Sequence, residues 1–476
     1  MVSNPHISRR GFLGSTTVAA FSLVYLPGVG RVQAQPFPDW NAEDYQGRLC
    51  YNENPLGPSP NALTALQEAA AMAHRYPDWY NNSLESRLAD YHGLATGNIC
   101  AGAGATEVLR LIADAFLGPG DELVTATPTY SQMGSEAIAN GATVVNVPLD
   151  GNYVIDLPTI LAAIGPSTKM VSLVNPNNPV ATVIDKVEME TFIGALPGDV
   201  LIVVDEAYHD YVHSLNYESC IRYIGEGAPV IVVRTLSKAF GLAGARAGYS
   251  IASTSHTSLI GSSQQFGMIS RPSQAAAEAA LEDSQHVTDT VTLNDQAKAM
   301  LENGFTSLGL DFIPSETNFM MFDTGTNAST VASQLAGMGY QVRTGWGMPQ
   351  HIRVSTGLLT EIQGFLDALA GILATGVPDN RETPRSLALN SVYPNPFNAS
   401  CQVKISIPSK EPLNLTIYDI AGRKIRSLVG GALEPGVHTL TWNGKNHAGQ
   451  AVASGTYIFN LVQGEYATSK RVSLVK

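Results

Sequence analysis

The sequence predicts an α/β domain built on a mainly parallel sheet, followed by a small β-sandwich. From about residue 35 to residue 375, short apolar runs alternate with amphipathic segments of helical spacing, the pattern of a βαβ architecture. These apolar runs are rich in Val, Ile and Leu and lack polar alternation, as in strands that are covered on both faces. After residue 390, apolar and polar residues alternate one by one, which predicts strands with a single buried face.

Length, charge and residue spacing limit the kind of protein. A chain of 476 residues is expected to form two or three domains. Its net charge of −13 argues against binding to nucleic acid or to an anionic membrane, since both need clustered Lys and Arg. The four cysteines form no CxxC pair, so we expect neither a zinc site nor a disulfide framework. His209 and His213 have no third ligand at a useful spacing, and we expect no metal site.

The first 34 residues have the features of an export signal. Arg9 and Arg10 precede an apolar stretch at residues 12–26, and Ala34 ends a small-residue cleavage motif. The segment at residues 8–13 resembles a twin-arginine signal. Since a bilayer takes roughly 20 apolar residues to cross, this stretch is too short to span one, and we expect no transmembrane segment in the mature protein. We therefore predict a signal peptide at residues 1–34 and a periplasmic, cell-surface or secreted protein.

Three predicted strands place polar residues at one edge of the sheet. The apolar runs at residues 169–174, 200–204 and 230–233 are each followed at once by polar side chains. In open α/β sheets, ligands bind beyond the carboxyl ends of the parallel strands. The sequence therefore predicts a ligand site at this edge.

Four side chains near this edge suit one cofactor. Lys238 lies among small residues after the third strand, Asp205 ends the second strand, and Tyr208 and Arg246 follow at short distances. Pyridoxal phosphate needs a lysine for a Schiff base, a carboxylate that keeps its ring nitrogen protonated, and a cation for its phosphate. We therefore predict pyridoxal 5′-phosphate as the cofactor, with Lys238, Asp205 and Tyr208 as catalytic residues.

Residues 235–244 (Thr-Leu-Ser-Lys-Ala-Phe-Gly-Leu-Ala-Gly) resemble the lysine-site signature of class II aminotransferases, which belong to the fold-type I pyridoxal-phosphate enzymes. Residues 52–60 and 75–78 are similar to segments of histidinol-phosphate aminotransferases, and the likeness covers some 330 residues. The resemblance implies a three-layer large part at about 75–275. It also implies a small α+β part made of residues 35–74 and 280–375.

The resemblance also implies roles for individual residues. It assigns contacts with the cofactor phosphate to the start of a helix, a serine and an arginine: Gly104, Ala105, Thr106, Ser237 and Arg246. It assigns contacts with the cofactor ring to Tyr130, Tyr208 and Asn178. It assigns contacts with the substrate to Asn54 and Arg353. Tyr76 is similar to a residue that reaches the cofactor of a neighbouring subunit, which implies a homodimer. The chain departs from the family at Val180 and Ala181, where Thr-Gly is usual, and at Ala105, where a hydroxyl is common.

The C-terminal region has a different pattern. We interpret residues 376–390 as a linker, because they are rich in charged residues and Pro and show no periodicity. Residues 391–476 contain alternating runs separated by turn residues, which predicts an immunoglobulin-like sandwich. This region resembles FlgD-type modules that overlap with type IX secretion sorting domains, and the resemblance implies contact with secretion machinery.

The favoured function is therefore that of an exported transaminase, a transferase of nitrogenous groups. It would exchange an amino group between an amino acid or amine and a 2-oxo acid by a ping-pong mechanism. Two alternatives remain open at this stage. One is a pyridoxal-phosphate lyase or decarboxylase on the same scaffold, and the other is a surface-displayed binding protein whose enzyme domain is vestigial.

Overall fold

The computed structural model describes residues 45–77, 83–265, 269–374 and 387–474, the last range without residues 394, 396, 398–399, 434–435 and 465. The predicted signal peptide and most of the predicted linker lie outside the described residues. Asp78, which closes the second family-like segment, also lies outside them.

A seven-stranded sheet forms the centre of the larger part. Its strands, in spatial order, are Ile99–Gly102, Gly248–Ile251, Val230–Thr235, Leu201–Asp205, Thr168–Val174, Glu122–Thr127 and Thr143–Pro148. Only Gly248–Ile251 among them runs antiparallel to its neighbours. The prediction of a mainly parallel sheet is confirmed. The three strands predicted to end at the ligand edge are adjacent, and each is buried along nearly its whole length, as their unbroken apolar composition requires.

Helices cover both faces of this sheet, and two hydrophobic clusters lie between them and the strands. In the helix Ala105–Phe116, for example, Val108, Leu111 and Ile112 are fully buried because their spacing puts them on one face. The other helices of this part are Pro60–Ala70, Ser83–His92, Gln132–Ala139, Leu157–Ala163, Lys186–Ala195, Ile221–Gly225, Thr254–Ser262 and Arg271–Leu281, with short 3₁₀ turns at Thr96–Asn98 and His209–Tyr211.

The smaller part has its own core around a four-stranded antiparallel sheet. Its strands, in spatial order, are Arg343–Gly345, Met348–Ser355, Phe319–Asp323 and Phe312–Ile313. The helices Ser284–Leu308, Ala328–Gly337 and Leu359–Ala374 complete this part, and a short parallel pair joins Gly47–Arg48 to Tyr340–Gln341. Inside the core, the rings of Phe305 and Phe322 stack with centroids 4.4 Å apart.

The predicted boundary between the two parts needs a correction at the N-terminal side. We assigned residues 35–74 to the small part, but the helix Pro60–Ala70 packs against Arg271–Leu281 of the large part. Ala62 is fully buried in the hydrophobic cluster of the large sheet, whereas Leu49 belongs to the small core. The chain therefore leaves the small part between these two residues, within the segment that carries the first family-like motif.

The C-terminal region is a β-sandwich, as predicted. A three-stranded sheet contains Ala388–Tyr393, Cys401–Ile407 and Gly436–Trp442, and a four-stranded sheet contains Lys424–Ala432, Pro412–Asp419, Gly455–Gln463 and Tyr466–Leu474. Trp442 is fully buried between the sheets. The first strand begins at Ala388, inside the predicted linker, because Leu389 is a core residue that the pattern did not reveal.

Within the described part of the chain, no helix combines the length and the apolar character that crossing a bilayer requires.

Candidate active site

Adjacent parallel strands bring the predicted catalytic residues together. Asp205 is the last residue of its strand, and it pairs with Val174 on one side and Val233 on the other. Asn178 follows the first of these neighbouring strands, and Lys238 follows the second. Because the strands are parallel, all three residues leave the sheet at the same edge. The structure therefore brings Asp205, Asn178 and Lys238 to one edge of the sheet.

Lys238 projects into a cleft with its amine held by backbone oxygens. The Nζ atom donates to the carbonyl oxygens of Tyr51 at 3.2 Å and Asn52 at 3.0 Å. Burial, followed by the nearby charge of Arg353, lowers the pKa of Lys238 from 10.5 to about 8. An amine with this pKa is partly neutral near neutral pH and can act as a nucleophile or a base.

Asp205 is a buried carboxyl group, and no ion pair to it is recorded among the described residues. It is 4% exposed. Among the described residues, the hydrogen bond recorded to it comes from the backbone N–H of Ala207 at 3.1 Å. Burial raises the pKa of Asp205 from 3.8 to about 6, against the opposing influences of that N–H and of Lys238. A buried carboxylate in this state favours a positively charged N–H group placed against it.

Tyr208 lies close to Asp205, with its hydroxyl between two asparagines. The oxygen accepts hydrogen bonds from Asn52 Nδ2 at 2.9 Å and Asn178 Nδ2 at 3.4 Å. Burial raises the pKa of Tyr208 to about 12, so its hydroxyl stays protonated in the physiological range. The ring centroid lies 5.6 Å from the amine of Lys238.

Arg353 is almost completely buried beside Asn178. Its Nη1 donates to Asn178 Oδ1 at 2.6 Å, and its Nη2 donates to the carbonyl of Cys50 at 2.7 Å. The Nε atom is buried and has no hydrogen-bond partner in the described structure. Burial lowers the pKa of Arg353 to about 10, yet the group remains charged at neutral pH. The guanidinium is thus fixed in place with donors left for an anion.

A cradle for an anion lies at the start of the helix Ala105–Phe116. No side chain caps this helix, because Gly104 occupies the N-cap position with φ +80°. Arg246 lies next to Gly104, so close that a Cβ there would come within 2.6 Å of its Nη2. A Cβ on Gly248 would overlap the backbone of Gly104 and Ala105. The helix dipole, its free N–H groups and Arg246 therefore converge on a point suited to a phosphate.

Thr106 and Ser237 are two further predicted phosphate ligands. Thr106 is in the first turn of the helix. Ser237 is 7% exposed, and its hydroxyl accepts from Thr235 Oγ1 at 2.9 Å.

The remaining predicted site residues are Tyr130, Tyr76 and Asn54. Tyr130 follows the strand Glu122–Thr127, and its side chain is 37% exposed. Tyr76 is 77% exposed, with its carbonyl 3.5 Å from Arg271 Nη1. Asn54 donates to the carbonyl of Ala239 at 3.0 Å and to Thr290 at 2.9 Å. These bonds use both amide hydrogens of Asn54, so it braces the lysine loop.

Asn52 is the main site residue that the sequence did not identify. It was noticed only as part of a motif, but the structure shows it bonded to Tyr208, Lys238 and Ser355. Its φ of +55° is uncommon for a residue other than glycine. No spacing rule reveals such contacts, because they join positions more than 150 residues apart.

A buried ion pair behind the site was also missed. Arg234 Nη2 lies 2.8 Å from Glu206 Oε2, and both side chains are nearly inaccessible. Glu206 directly follows Asp205, and its charge raises the pKa of that carboxyl group. By neutralising Glu206, Arg234 limits this effect. Alternating side chains along a strand explain why these neighbours face opposite sides of the sheet.

The residues present fit pyridoxal phosphate. The cleft has an amine at one side and a buried carboxyl group that favours a cationic N–H. It also has a glycine-lined helix N-terminus with an arginine. The cradle depends on the missing Cβ atoms of Gly104 and Gly248, so the space for an anion is a property of this fold. Lys238, Asp205, Tyr208, Ser237 and Arg246 are the side chains that can hold the cofactor.

Comparison with known proteins agrees with this geometry. The model of the family aminotransferase class I and II matches residues 46–369. A histidinol-phosphate aminotransferase of Moorella thermoacetica is 38% identical over 330 residues, which are 69% of this chain and 85% of that protein. One from Akkermansia muciniphila is 38% identical over 327 residues, covering 68% of this chain and 90% of that protein. The chain belongs to the class I and II aminotransferases.

Within that family it is histidinol-phosphate aminotransferase-like. The solved histidinol-phosphate aminotransferase of Sinorhizobium meliloti, in complex with pyridoxal 5′-phosphate, superposes with a TM-score of 0.66 at 29% identity, covering 70% of this chain and 92% of that one. The cofactor of this transaminase is pyridoxal phosphate. A second family model, the FlgD Ig-like domain, matches residues 397–465. The fold class predicted from the sequence is confirmed for both regions.

Proposed function

We propose that this protein is an exported aminotransferase that moves an amino group from an amino acid or amine to a 2-oxo acid in a ping-pong reaction. One observation carries the proposal. The amine of Lys238 and the carboxyl group of Asp205 stand at neighbouring strand ends, and Arg353 lies fixed beside them with donors to spare. Amine, carboxylate and anion anchor are the three groups that transamination of an amino acid requires.

When bound, pyridoxal phosphate supplies an electron sink for the bond that is broken at the substrate Cα atom. Asp205 keeps the proton on the ring nitrogen, because a charge pair in a buried site favours the protonated form. Lys238, as a neutral amine, would take the proton from the Cα atom of the substrate. Its lowered pKa of about 8 suits this exchange near neutral pH.

Arg353 is proposed to bind the carboxylate of the substrate. Its planar guanidinium is held by Asn178 and the carbonyl of Cys50, and its remaining Nη hydrogens are the donors for a substrate carboxylate. The aromatic rings of Phe319 and Trp346 lie 5.1 Å from its Cζ and restrict its movement. Tyr130 is proposed to stack on the cofactor ring. This contact would cover part of the exposed face of the Tyr130 side chain.

A homodimer is proposed on the strength of Tyr76. This large aromatic side chain is 77% exposed in the single subunit. A role at the cofactor of a second subunit would bury it. Size-exclusion chromatography with light scattering tests this: a dimer is expected, and a strictly monomeric active enzyme would contradict it.

Export is proposed from the two ends of the chain. Arg9 and Arg10 precede an apolar stretch, and the last domain is similar to FlgD Ig-like modules. Replacing both arginines by lysine is expected to leave the active protein in the cytoplasm. A deletion of residues 391–476 is expected to stop transit beyond the periplasm without affecting the first step. Unchanged fractionation of both variants would contradict export by this route.

Amino-donor screening tests the activity. Mature protein from residue 35 is expected to transfer amino groups from at least one amino acid, amine or histidinol phosphate to 2-oxoglutarate, and the variant Lys238→Ala is expected to transfer none. Lys298→Ala is a suitable control, since this buried lysine bonds the carbonyl of Ser315 in the small part. Release of carbon dioxide or ammonia without an oxo acceptor would favour a lyase. A colourless protein would favour a vestigial binding role.

A further inference from the structure

A closed set of hydrogen bonds surrounds Asn52. Its backbone N–H donates to Ser355 Oγ at 2.8 Å, and the Ser355 hydroxyl donates back to Asn52 Oδ1 at 2.9 Å. Asn52 Nδ2 donates to the Tyr208 hydroxyl at 2.9 Å. Asn52 and Ser355 are at most 2% exposed, so water does not compete for these groups.

The need to pair the buried hydrogen of Ser355 sets the direction of the bonds in this set. The backbone N–H of Asn52 can only donate, so Ser355 accepts there and must use its single hydrogen elsewhere. That hydrogen goes to Asn52 Oδ1, which fixes the side-chain amide with its NH₂ group towards Tyr208. A flipped amide would leave the buried hydrogen of Ser355 without the acceptor that the described structure gives it, Asn52 Oδ1, so the observed orientation is favoured.

Asn178, like Asn52, donates a hydrogen bond to the hydroxyl oxygen of Tyr208. Its Oδ1 accepts from Arg353, so its Nδ2 faces the Tyr208 hydroxyl at 3.4 Å. Tyr208 therefore accepts from two amides, which use both lone pairs of its oxygen. Its own hydrogen is left for a third partner.

We propose that Asn52 and Ser355 are positioning residues that set the polarity of the Tyr208 hydroxyl, so that it can only donate to an oxygen in the cleft. This inference rests on the proposed function, because the oxygen is the ring oxygen of the cofactor. A donor at this position stabilises the ring oxygen as an anion. It therefore lowers the pH at which the lysine-bound cofactor loses its proton.

The pair also places the lysine. The carbonyl oxygen of Asn52 accepts from Lys238 Nζ and from Asn318 Nδ2, both at 3.0 Å. Asn52 thus orients the hydroxyl of Tyr208 through the Asn52 side chain and positions the amine of Lys238 through the Asn52 backbone carbonyl. The φ of +55° at Asn52 allows both groups to face the cleft.

The variant Asn52→Asp tests the proposal, because a carboxylate of the same shape can only accept. Tyr208 would then donate to Asp and not into the cleft. We expect the pH midpoint of the visible band of the lysine-bound cofactor to rise by roughly one unit, which is a tenfold change in proton affinity. Ser355→Ala should raise it less, and Ser355→Thr, which keeps the hydroxyl, should restore the wild-type midpoint.

The variant Tyr208→Phe distinguishes an effect on the direction of the Tyr208 hydroxyl from a direct effect of the new charge at residue 52. If Asn52→Asp acts through Tyr208, the double variant has the same midpoint as Tyr208→Phe alone. If the new charge acts directly, the two shifts add, and the proposal is wrong. If Asn52→Asp fails to fold, the variants Ser355→Ala and Ser355→Thr provide the test. Equal pH midpoints of the visible band for these two variants would overturn the proposal. A wild-type protein without the visible band would instead refute the proposed function.

Discussion

At the scale of single residues, backbone strain and an unfavourable buried charge are found at the candidate active site. Asn52, Arg246 and Trp346 adopt positive φ angles of 55–57°, which residues other than glycine rarely do. Ala181 does so at 68°, where the family usually has Gly. Its fully buried methyl group offsets part of a backbone cost of about 1 kcal/mol. The chain thus keeps the family's backbone at this loop despite the changed residue.

Asp205 is expected to destabilise the cofactor-free protein. Its pKa in the folded state, about 6, lies above the unfolded value of 3.8, so the folded state binds more protons between these pH values. Stability is therefore lost as the pH rises through this window, and the whole cost is present at pH 7. We expect Asp205→Asn to stabilise the apoprotein by about 2–3 kcal/mol at pH 7 and not at all below pH 4.

Urea unfolding of the apoprotein at both pH values measures this effect. After the same preparation is reconstituted with pyridoxal phosphate, the activity of Asp205→Asn should be orders of magnitude below that of the wild type. An apoprotein that is less stable after the substitution at pH 7 would show that the carboxylate has a cationic partner in the folded chain.

Lys238 is expected to control the pH dependence of cofactor loading. The neutral amine reacts with the aldehyde, and a pKa of about 8 makes its fraction rise about tenfold between pH 7 and pH 9 and then level off. An ordinary lysine would give a rise of about a hundredfold that continues beyond pH 9. Stopped-flow mixing of apoprotein with pyridoxal phosphate measures the rate, and a continuing rise would contradict the lowered pKa.

At the scale of elements, strand ends and a helix start build the site. The three strands that end at the cleft were recognisable because buried parallel strands read as unbroken apolar runs. Lys238, Asp205 and Arg246 were predictable because they lie in a local motif or at a strand end. Asn52, Ser355 and the bracing role of Asn54 were not, since their partners come from distant parts of the chain. Contacts of this kind depend on the tertiary fold, which local patterns do not encode.

The close approach at Gly248 gives a prediction about the anion cradle. Gly248→Ala places a methyl group against the backbone of Gly104 and Ala105 and pushes the helix start away. We expect cofactor affinity to fall at least about tenfold, which corresponds to about 1.4 kcal/mol. Gly244→Ala is the matched control, because a Cβ there meets nothing within 4 Å. Equal cofactor dissociation constants for both variants, measured by fluorescence titration, would rule out the cradle.

At the scale of the whole molecule, the enzyme and the sandwich have separate hydrophobic cores. One core holds Trp442 and its neighbours from residues 389–474, and the enzyme clusters contain residues 49–372. The sandwich was predictable from its alternating strands, whereas its first strand was placed too late because residues 388–390 lack that alternation. A fold made of such independent units tolerates the loss of one.

Removal of residues 376–476 is therefore expected to leave catalysis intact. We expect kcat/KM to stay within about twofold of the full chain, because no site residue comes from the sandwich. Steady-state kinetics of both forms measure this. A truncated protein that loses its cofactor would show that the last domain supports the active site.

The most direct test of the account is to find where the cofactor is attached. Reduction of the native enzyme with borohydride fixes pyridoxal phosphate to the lysine that binds it, and peptide mass spectrometry then locates the label. The account predicts a single label on Lys238, lost together with the visible band in Lys238→Ala. A label on another lysine, or none, would contradict it.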